Sequence, residues 1–235
     1  MMKEGHRVPQ RDNFFEDIYS RMASIITPFF LNFTPNQVTI LSGGFGIIGS
    51  CLLISDNYLA LFSAAILIQL FSILDLVDGN IARIKNLQSK FGMWLDIFFD
   101  KLVDFLIMFI ATLGVYLSNG DSNILIWGMV LIGSVFFNQI IMILNTTRNY
   151  FEFSRDSGSK FIKIIENKNS KLNFFFKSLY FFRKHLTYQH NTFLFLISFF
   201  AIINQMLFGI YFLTLHSLIS LILSIMINFY RISEV

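Results

Sequence analysis

Asp75, Asp78, Asp96 and Asp100 lie within one stretch, DLVDGNIARIKNLQSKFGMWLDIFFD, in a chain that is otherwise strongly apolar. A carboxylate at the centre of a membrane costs ~2.5–3.5 kcal/mol on insertion scales, so four of them require a polar cavity and counter-charge. Arg83 and Lys101 are the only cations within or next to the stretch apart from the turn lysines. The spacing supplies a purpose. Asp75, Asp78 and Ala82 share one face of a helix, and so do Asp96 and Asp100. Between the pairs runs a polar turn holding Lys85, Asn86, Gln88, Ser89 and Lys90. Two helices joined there would set the pairs face to face. Converging carboxylates suit Mg²⁺ or Mn²⁺, hard cations that take oxygen ligands. Two such ions about 3.5–4 Å apart would clamp a phosphoryl group during displacement. Gly79 would admit a close backbone or nucleotide, and Arg83 could pair with phosphate oxygens.

Written as a pattern, the stretch is D-x2-D-G-x2-A-R-x8-G-x3-D-x3-D, from Asp75 to Asp100 with Gly79, Ala82, Arg83 and Gly92 fixed. It resembles, at every specified position, the signature of the CDP-alcohol phosphotransferases, integral-membrane enzymes of phospholipid synthesis. Eight positions at about one in fifteen each put a chance match below ~10⁻⁶. Upstream, Thr34-Pro35-Asn36-Gln37-Val38-Thr39 is similar to the P-N-x-x-T element that opens the first membrane helix of that family. Asn and Thr at this place are also ordinary helix caps, and Pro35 suits a first helical turn. The resemblance is sharp from about Thr34 to Asp104; beyond that it rests on hydropathy and length.

The resemblance implies a reaction. A CDP-linked donor, CDP-diacylglycerol before any other CDP-alcohol, would meet Asn36, Thr39, Asp75, Asp78, Gly79, Ala82, Arg83 and Gly92. Asp75, Asp78, Asp96 and Asp100 would hold two divalent ions. Asp100 would also take the proton from a small alcohol acceptor, and CMP would leave. An alternative keeps the chemistry but uses a soluble CDP-head-group, a CDP-polyol or CDP-aminoalcohol, with a lipid or polyol acceptor. The family usually forms homodimers. A divalent-cation or secondary transporter is the rival class, because intramembrane carboxylates also mark ion pathways. It would spread acidic residues over several helices or show an internal repeat, and neither pattern is present.

The elements that must position these residues are helices in a membrane. The chain has 235 residues, 54% of them hydrophobic and 14% charged, with a mean hydropathy of +0.61. That composition fits an all-α, polytopic membrane protein forming a single domain over 1–235. About six spans fit the bilayer length, at 37–55, 58–78, 92–117, 122–145, 190–204 and 206–229. The last two are parted at Asn204-Gln205. Before them, residues 13–30 place Phe14, Phe15, Ile18, Tyr19, Met22, Ile25, Ile26, Phe29 and Phe30 at helical spacing, as in an amphipathic helix lying in the interface. In the first span Ser42, Gly46 and Ser50 form a ladder of small residues that allows close helix contact within the chain. Cys51 is the only cysteine; it rules out an intramolecular disulfide and reads as a packing residue.

All 18 Lys and Arg fall in four places: the N-terminal region, the link between the second and third spans, the segment 148–184, and Arg231. The intervening turns carry none, so both termini and the site face the cytosol, and the size suits a prokaryotic inner membrane. Residues 148–188 read as a basic segment anchored to anionic lipid on the cytosolic membrane surface, with Arg148 and Arg155 as candidates for an acceptor's phosphate or the anionic lipid head. The sequence pI of about 9.0 does not point to nucleic acid, because the basic residues border apolar spans. Asp104 continues the face of Asp96 and Asp100 and reads as a supporting group or a partner of Lys101. His216 reads as structural, and His6, His185 and His190 as exposed or interfacial.

Overall fold

The structure is a computed structural model that describes residues 14–151 and 190–233. Among these residues every regular element is helical: α1 (Phe14–Ile26), a 3-10 turn (Thr27–Phe30), α2 (Pro35–Leu52), α3 (Tyr58–Lys85), α4 (Lys90–Asn119), α5 (Asn123–Phe151), α6 (His190–Ile202) and α7 (Met206–Ser233). Residues 14–129 with 190–213 form one compact unit, and 130–151 with 214–233 belong to a second.

Six helices occupy the ranges expected for spans. Among the described residues three are long and apolar enough to cross a membrane by length and composition: Tyr58–Lys85, Asn123–Leu144 and Met206–Met226. Helix α2 begins with Pro35, Asn36 and Gln37 and carries six glycine and serine positions from Ser42 to Ser50, which lowers its apolar content. Helix α4 carries Asp96, Asp100, Lys101 and Asp104 in its first half. Helix α6 has 13 residues, fewer than the roughly 20 a bilayer requires.

The helix boundaries follow from local chemistry. Thr34 caps α2 reciprocally: its Oγ1 accepts from the Gln37 amide, and the Gln37 Oε1 accepts from the Thr34 amide at 2.8 Å. This is the capping box, with Pro35 at the first helical position where its missing N–H costs nothing. Helix α3 stops at Asn86, whose φ of 55° is left-handed. The Leu87 amide then bonds back to the Ala82 carbonyl at 2.9 Å, closing the last turn as a left-handed C-cap does. Two residues on, Ser89 caps α4 by accepting from the Gly92 amide at 2.9 Å. The link between the halves of the aspartate signature is therefore a stop, a short turn and a start, each fixed by one side chain or one backbone angle.

The first unit is knit by close contact of α2, α3 and α4. A Cβ built on Gly46 would come within 2.7 Å of Val103 and 3.1 Å of Phe71, and one on Gly49 within 3.1 Å of Ile68. The ladder of small residues thus serves packing inside the chain, with Ser42 and Ser50 both buried. Cys51 lies outside that seam and is exposed, which corrects its reading as a packing residue. Ala23, Val38, Leu74, Val77 and Ile81 form a buried cluster that docks α1 on α2 and α3. The opposite side of α1 and its following turn exposes Ile25 and Phe29.

Polar bonds fasten the same unit. The Tyr19 hydroxyl on α1 donates to Gln69 on α3. Burial pushes the Tyr19 phenol up to about 12, against the opposing pull of this hydrogen bond, so it stays a donor. The Gln69 Nε2 in turn donates to Ser198 Oγ at 2.8 Å and to the Leu194 carbonyl at 3.1 Å on α6. In the second unit Asn138 plays a comparable part. Its Nδ2 donates to the Ser134 and Ser217 carbonyls at 2.9 and 3.0 Å, and its Oδ1 accepts from Ser220 at 3.1 Å. Buried polar groups in an apolar setting are costly unless paired, and here they are paired across helices.

Candidate active site

Helix α3 carries Asp75 and Asp78 one turn apart, and α4, after the capped turn, carries Asp96 and Asp100. The structure brings three of the four together. One carboxylate oxygen each of Asp75, Asp78 and Asp96 lie within 4.8 Å of one another. Asp78 is buried, while Asp75 and Asp96 are partly open. Carboxylates this close repel one another unless a cation or proton lies among them. An all-oxygen donor set of this kind suits a hard divalent ion. The Thr39 hydroxyl of α2 donates to Asp78, so the buried carboxylate has a fixed orientation. Thr39 is itself buried.

Asn36 at the head of α2 and Gly92 at the head of α4 lie close together. A Cβ on Gly92 would lie 2.9 Å from Asn36 Oδ1 and 3.1 Å from Ser89 Oγ. Glycine at this position lets α4 begin directly against the head of α2. Gly79 differs. A Cβ there would meet nothing nearer than the Arg83 guanidinium, at 3.4 Å. Packing within the chain does not demand a glycine at 79.

Arg83 is exposed, yet it is not loose. Its Nη2 donates to Asn80 Oδ1 at 2.8 Å. The Asn80 Nδ2 donates to Thr27 Oγ1 at 3.1 Å, and Thr27 donates to the Ala23 carbonyl at 2.7 Å. A line of hydrogen bonds thus runs from the end of α1 to the guanidinium. Asn80 occupies an unspecified position of the signature, and sequence reading passed over it. Ala82 completes the set through its backbone, as the carbonyl that terminates α3.

Asp100 is not among the three carboxylates that lie within 4.8 Å of one another. Its Oδ1 lies 3.5 Å from His190 Nε2, and His190 Nδ1 lies 3.0 Å from Asp104 Oδ1. His190, read from sequence as exposed or interfacial, is instead an inward residue at the head of α6. The Asp104 carboxylate is buried, and its contact here is this imidazole. One signal for the pair was available in sequence: Asp104 sits one turn beyond Asp100 on an apolar helix and therefore needs a partner. Of the acceptor candidates, Arg148 lies on the α5 backbone, but its side chain and all of Arg155 lie outside the described residues, as does most of 148–188.

Comparisons with known proteins point to one family and one fold. The family model described as CDP-alcohol phosphatidyltransferase matches residues 32–229. The bifunctional IPC transferase and DIPP synthase of Aquifex aeolicus is 37% identical over 101 residues, 41% of this chain and 22% of that protein. The phosphatidylinositol phosphate synthase of Corynebacterium glutamicum is 39% identical over 74 residues, 32% of this chain and 33% of that protein. The matched stretches thus span a third or less of the length of these relatives. Among solved structures, the phosphatidylinositol phosphate synthase of Mycobacterium tuberculosis with CDP-DAG bound aligns with a TM-score of 0.52 at 18% identity. The alignment covers 89% of this chain and 92% of that one, and it shows a shared fold.

Proposed function

Because the chain belongs to the CDP-alcohol phosphatidyltransferase family, we propose that it transfers a phosphatidyl group from CDP-diacylglycerol to a small phosphorylated polyol, with release of CMP. The observation that carries this reading is the meeting of Asp75, Asp78 and Asp96 within 4.8 Å, beside a glycine that packing does not require and an arginine that Asn80 holds. Inositol phosphate is the acceptor of choice, because a curated relative and the aligned structure are both phosphatidylinositol phosphate synthases.

The chain's own groups divide the work. Asp75, Asp78 and Asp96 would hold the divalent ions, Mg²⁺ or Mn²⁺, with Asp100 beside them as a further ligand and as general base. Thr39 keeps Asp78 turned toward its neighbours. Asn36, Gly79, Ala82 and Gly92 line the place of the cytidine nucleotide. Asp100 takes the proton from the acceptor hydroxyl. The acceptor oxygen forms a bond to the phosphorus that bears diacylglycerol. The bond from that phosphorus to the bridging oxygen breaks, and CMP departs with the electron pair. Arg83 offsets the negative charge that grows on the departing phosphate. Bound divalent ions would polarise the phosphoryl oxygens and stabilise the same charge. The site opens to the cytosol, where a soluble acceptor and CMP exchange.

A second reading has the same chemistry with a soluble CDP-head-group donor. The matches to bifunctional IPC transferase and DIPP synthase proteins of Aquifex aeolicus and Thermococcus kodakarensis favour it. The deciding experiment is CMP release by the purified full chain in detergent with Mn²⁺. CDP-diacylglycerol is offered with inositol phosphate, glycerol phosphate, serine and inositol in turn. Release with inositol phosphate supports the first reading. Release only from soluble CDP-polyols supports the second. Transport of divalent ions into vesicles without any CMP release removes both.

A further inference from the structure

We propose that His190 is a positioning residue of the active site: anchored by Asp104, it holds one oxygen of Asp100 and leaves the other for the acceptor hydroxyl. This rests on the assignment of Asp100 as general base.

The imidazole is placed from three sides. Its Nδ1 faces Asp104 Oδ1 at 3.0 Å and its Nε2 faces Asp100 Oδ1 at 3.5 Å. The edge of Phe71, itself fully buried, meets the ring at a centroid distance of 6.0 Å and an angle of 83°. The two carboxylates lie one turn apart on α4, so a single ring can bridge them.

The backbone beneath His190 is fixed as well. The Ser72 hydroxyl donates to Asn191 Oδ1 at 3.0 Å, and Gln69 donates to Ser198 and to the Leu194 carbonyl. Both donors sit on α3, the helix that bears Asp75 and Asp78. The rotation and height of α6, and with them His190, are therefore set against the same helix that carries two of the three clustered aspartates. Asp100 is the one signature aspartate outside the cluster of three, and His190 is the residue its Oδ1 meets. Groups behind a reactive carboxylate commonly fix its orientation, and their loss costs about 10–100-fold in activity or metal affinity.

The test uses the purified full chain, Mn²⁺, and whichever donor and acceptor pair gives CMP release with the wild type. His190→Ala and Asp104→Asn are each expected to lower kcat about 10–100-fold with the donor KM unchanged. The thermal midpoint and the Mn²⁺ stoichiometry, read by electron paramagnetic resonance, should stay at the wild-type level. The double variant should be no slower than the slower single one, as for residues that act as a unit. Wild-type kcat in either single variant overturns the inference. So does a loss of kcat that arrives with a raised donor KM and a lowered thermal midpoint, because that marks helix docking alone. Should His190→Ala not fold, Asp104→Asn, nearly isosteric, decides by the same criteria. If the wild type releases no CMP from any pair, the inference falls together with the proposed function; if only the variants are indistinguishable from wild type, it falls alone.

Discussion

The side chain of Asn36 closes over Gly92, with its Oδ1 2.9 Å from where a Cβ at that glycine would stand. Two helices that begin at separate points of the chain thus share one tight corner, and the smallest side chain would force it open. Gly92→Ala is expected to move Asn36 and Ser89 outward. Overpacking of about 1–3 kcal/mol, felt at the nucleotide side, corresponds to a fall of roughly tenfold or more in kcat/KM for the CDP donor. Steady-state kinetics with wild-type kcat/KM would separate Asn36 from donor binding.

Gly79 provides the opposite case. Its neighbour is a flexible guanidinium at 3.4 Å, and alanine is the better helix former by up to about 1 kcal/mol. Gly79→Ala should leave the thermal midpoint unchanged or raise it, while the donor KM rises. A scan that showed destabilisation, or kinetics that showed no change, would mean that the glycine serves the fold rather than the ligand.

Asp100→Asn keeps the shape of the side chain and removes its capacity to accept a proton. CMP release should fall by about 10²–10⁴-fold, the usual share of general-base catalysis. Donor binding, followed by isothermal titration, should persist. Wild-type turnover would remove Asp100 from the role of base.

The three gathered carboxylates predict a dependence on divalent ions. Chelation should abolish CMP release, and Mg²⁺ or Mn²⁺ should restore it. Asp75→Asn and Asp96→Asn should each lower the amount of bound Mn²⁺ in electron paramagnetic resonance titrations, with the helical circular dichroism unchanged. Full Mn²⁺ binding by both variants would move the metal site elsewhere.

What could be read from sequence was local. The spacing of Asp75, Asp78, Asp96 and Asp100, and the polar turn between them, follow helical periodicity and cap chemistry. Asn86 and Ser89 end and begin helices where the pattern places the break. The small-residue ladder from Ser42 to Ser50 announced a close helix contact, and Gly46 makes one. His190 was not legible, because ninety positions separate it from Asp100 and only the docking of α6 on α3 joins them. Asn80 was hidden for another reason: inside a pattern, an unspecified position looks idle, yet its amide steers Arg83. Membrane spans were read from hydropathy alone, whereas α2 and α4 give up apolar content to glycines, serines and the site's own charges. Among the described residues three helices meet the apolar criterion for crossing a membrane.

Gln69 has a consequence for inheritance. Tyr19, Gln69 and Ser198 belong to α1, α3 and α6, and the one amide satisfies both of the others. Loss of Gln69 strands a buried hydroxyl on each of the other two, and loss of Tyr19 or Ser198 leaves one end of the Gln69 amide short of a partner. Single changes at these positions should therefore be poorly tolerated, and joint replacement by apolar residues of like volume far better. Lineages of this protein would then carry the triad whole or not at all, and the three columns would vary together although more than a hundred residues separate the outer two.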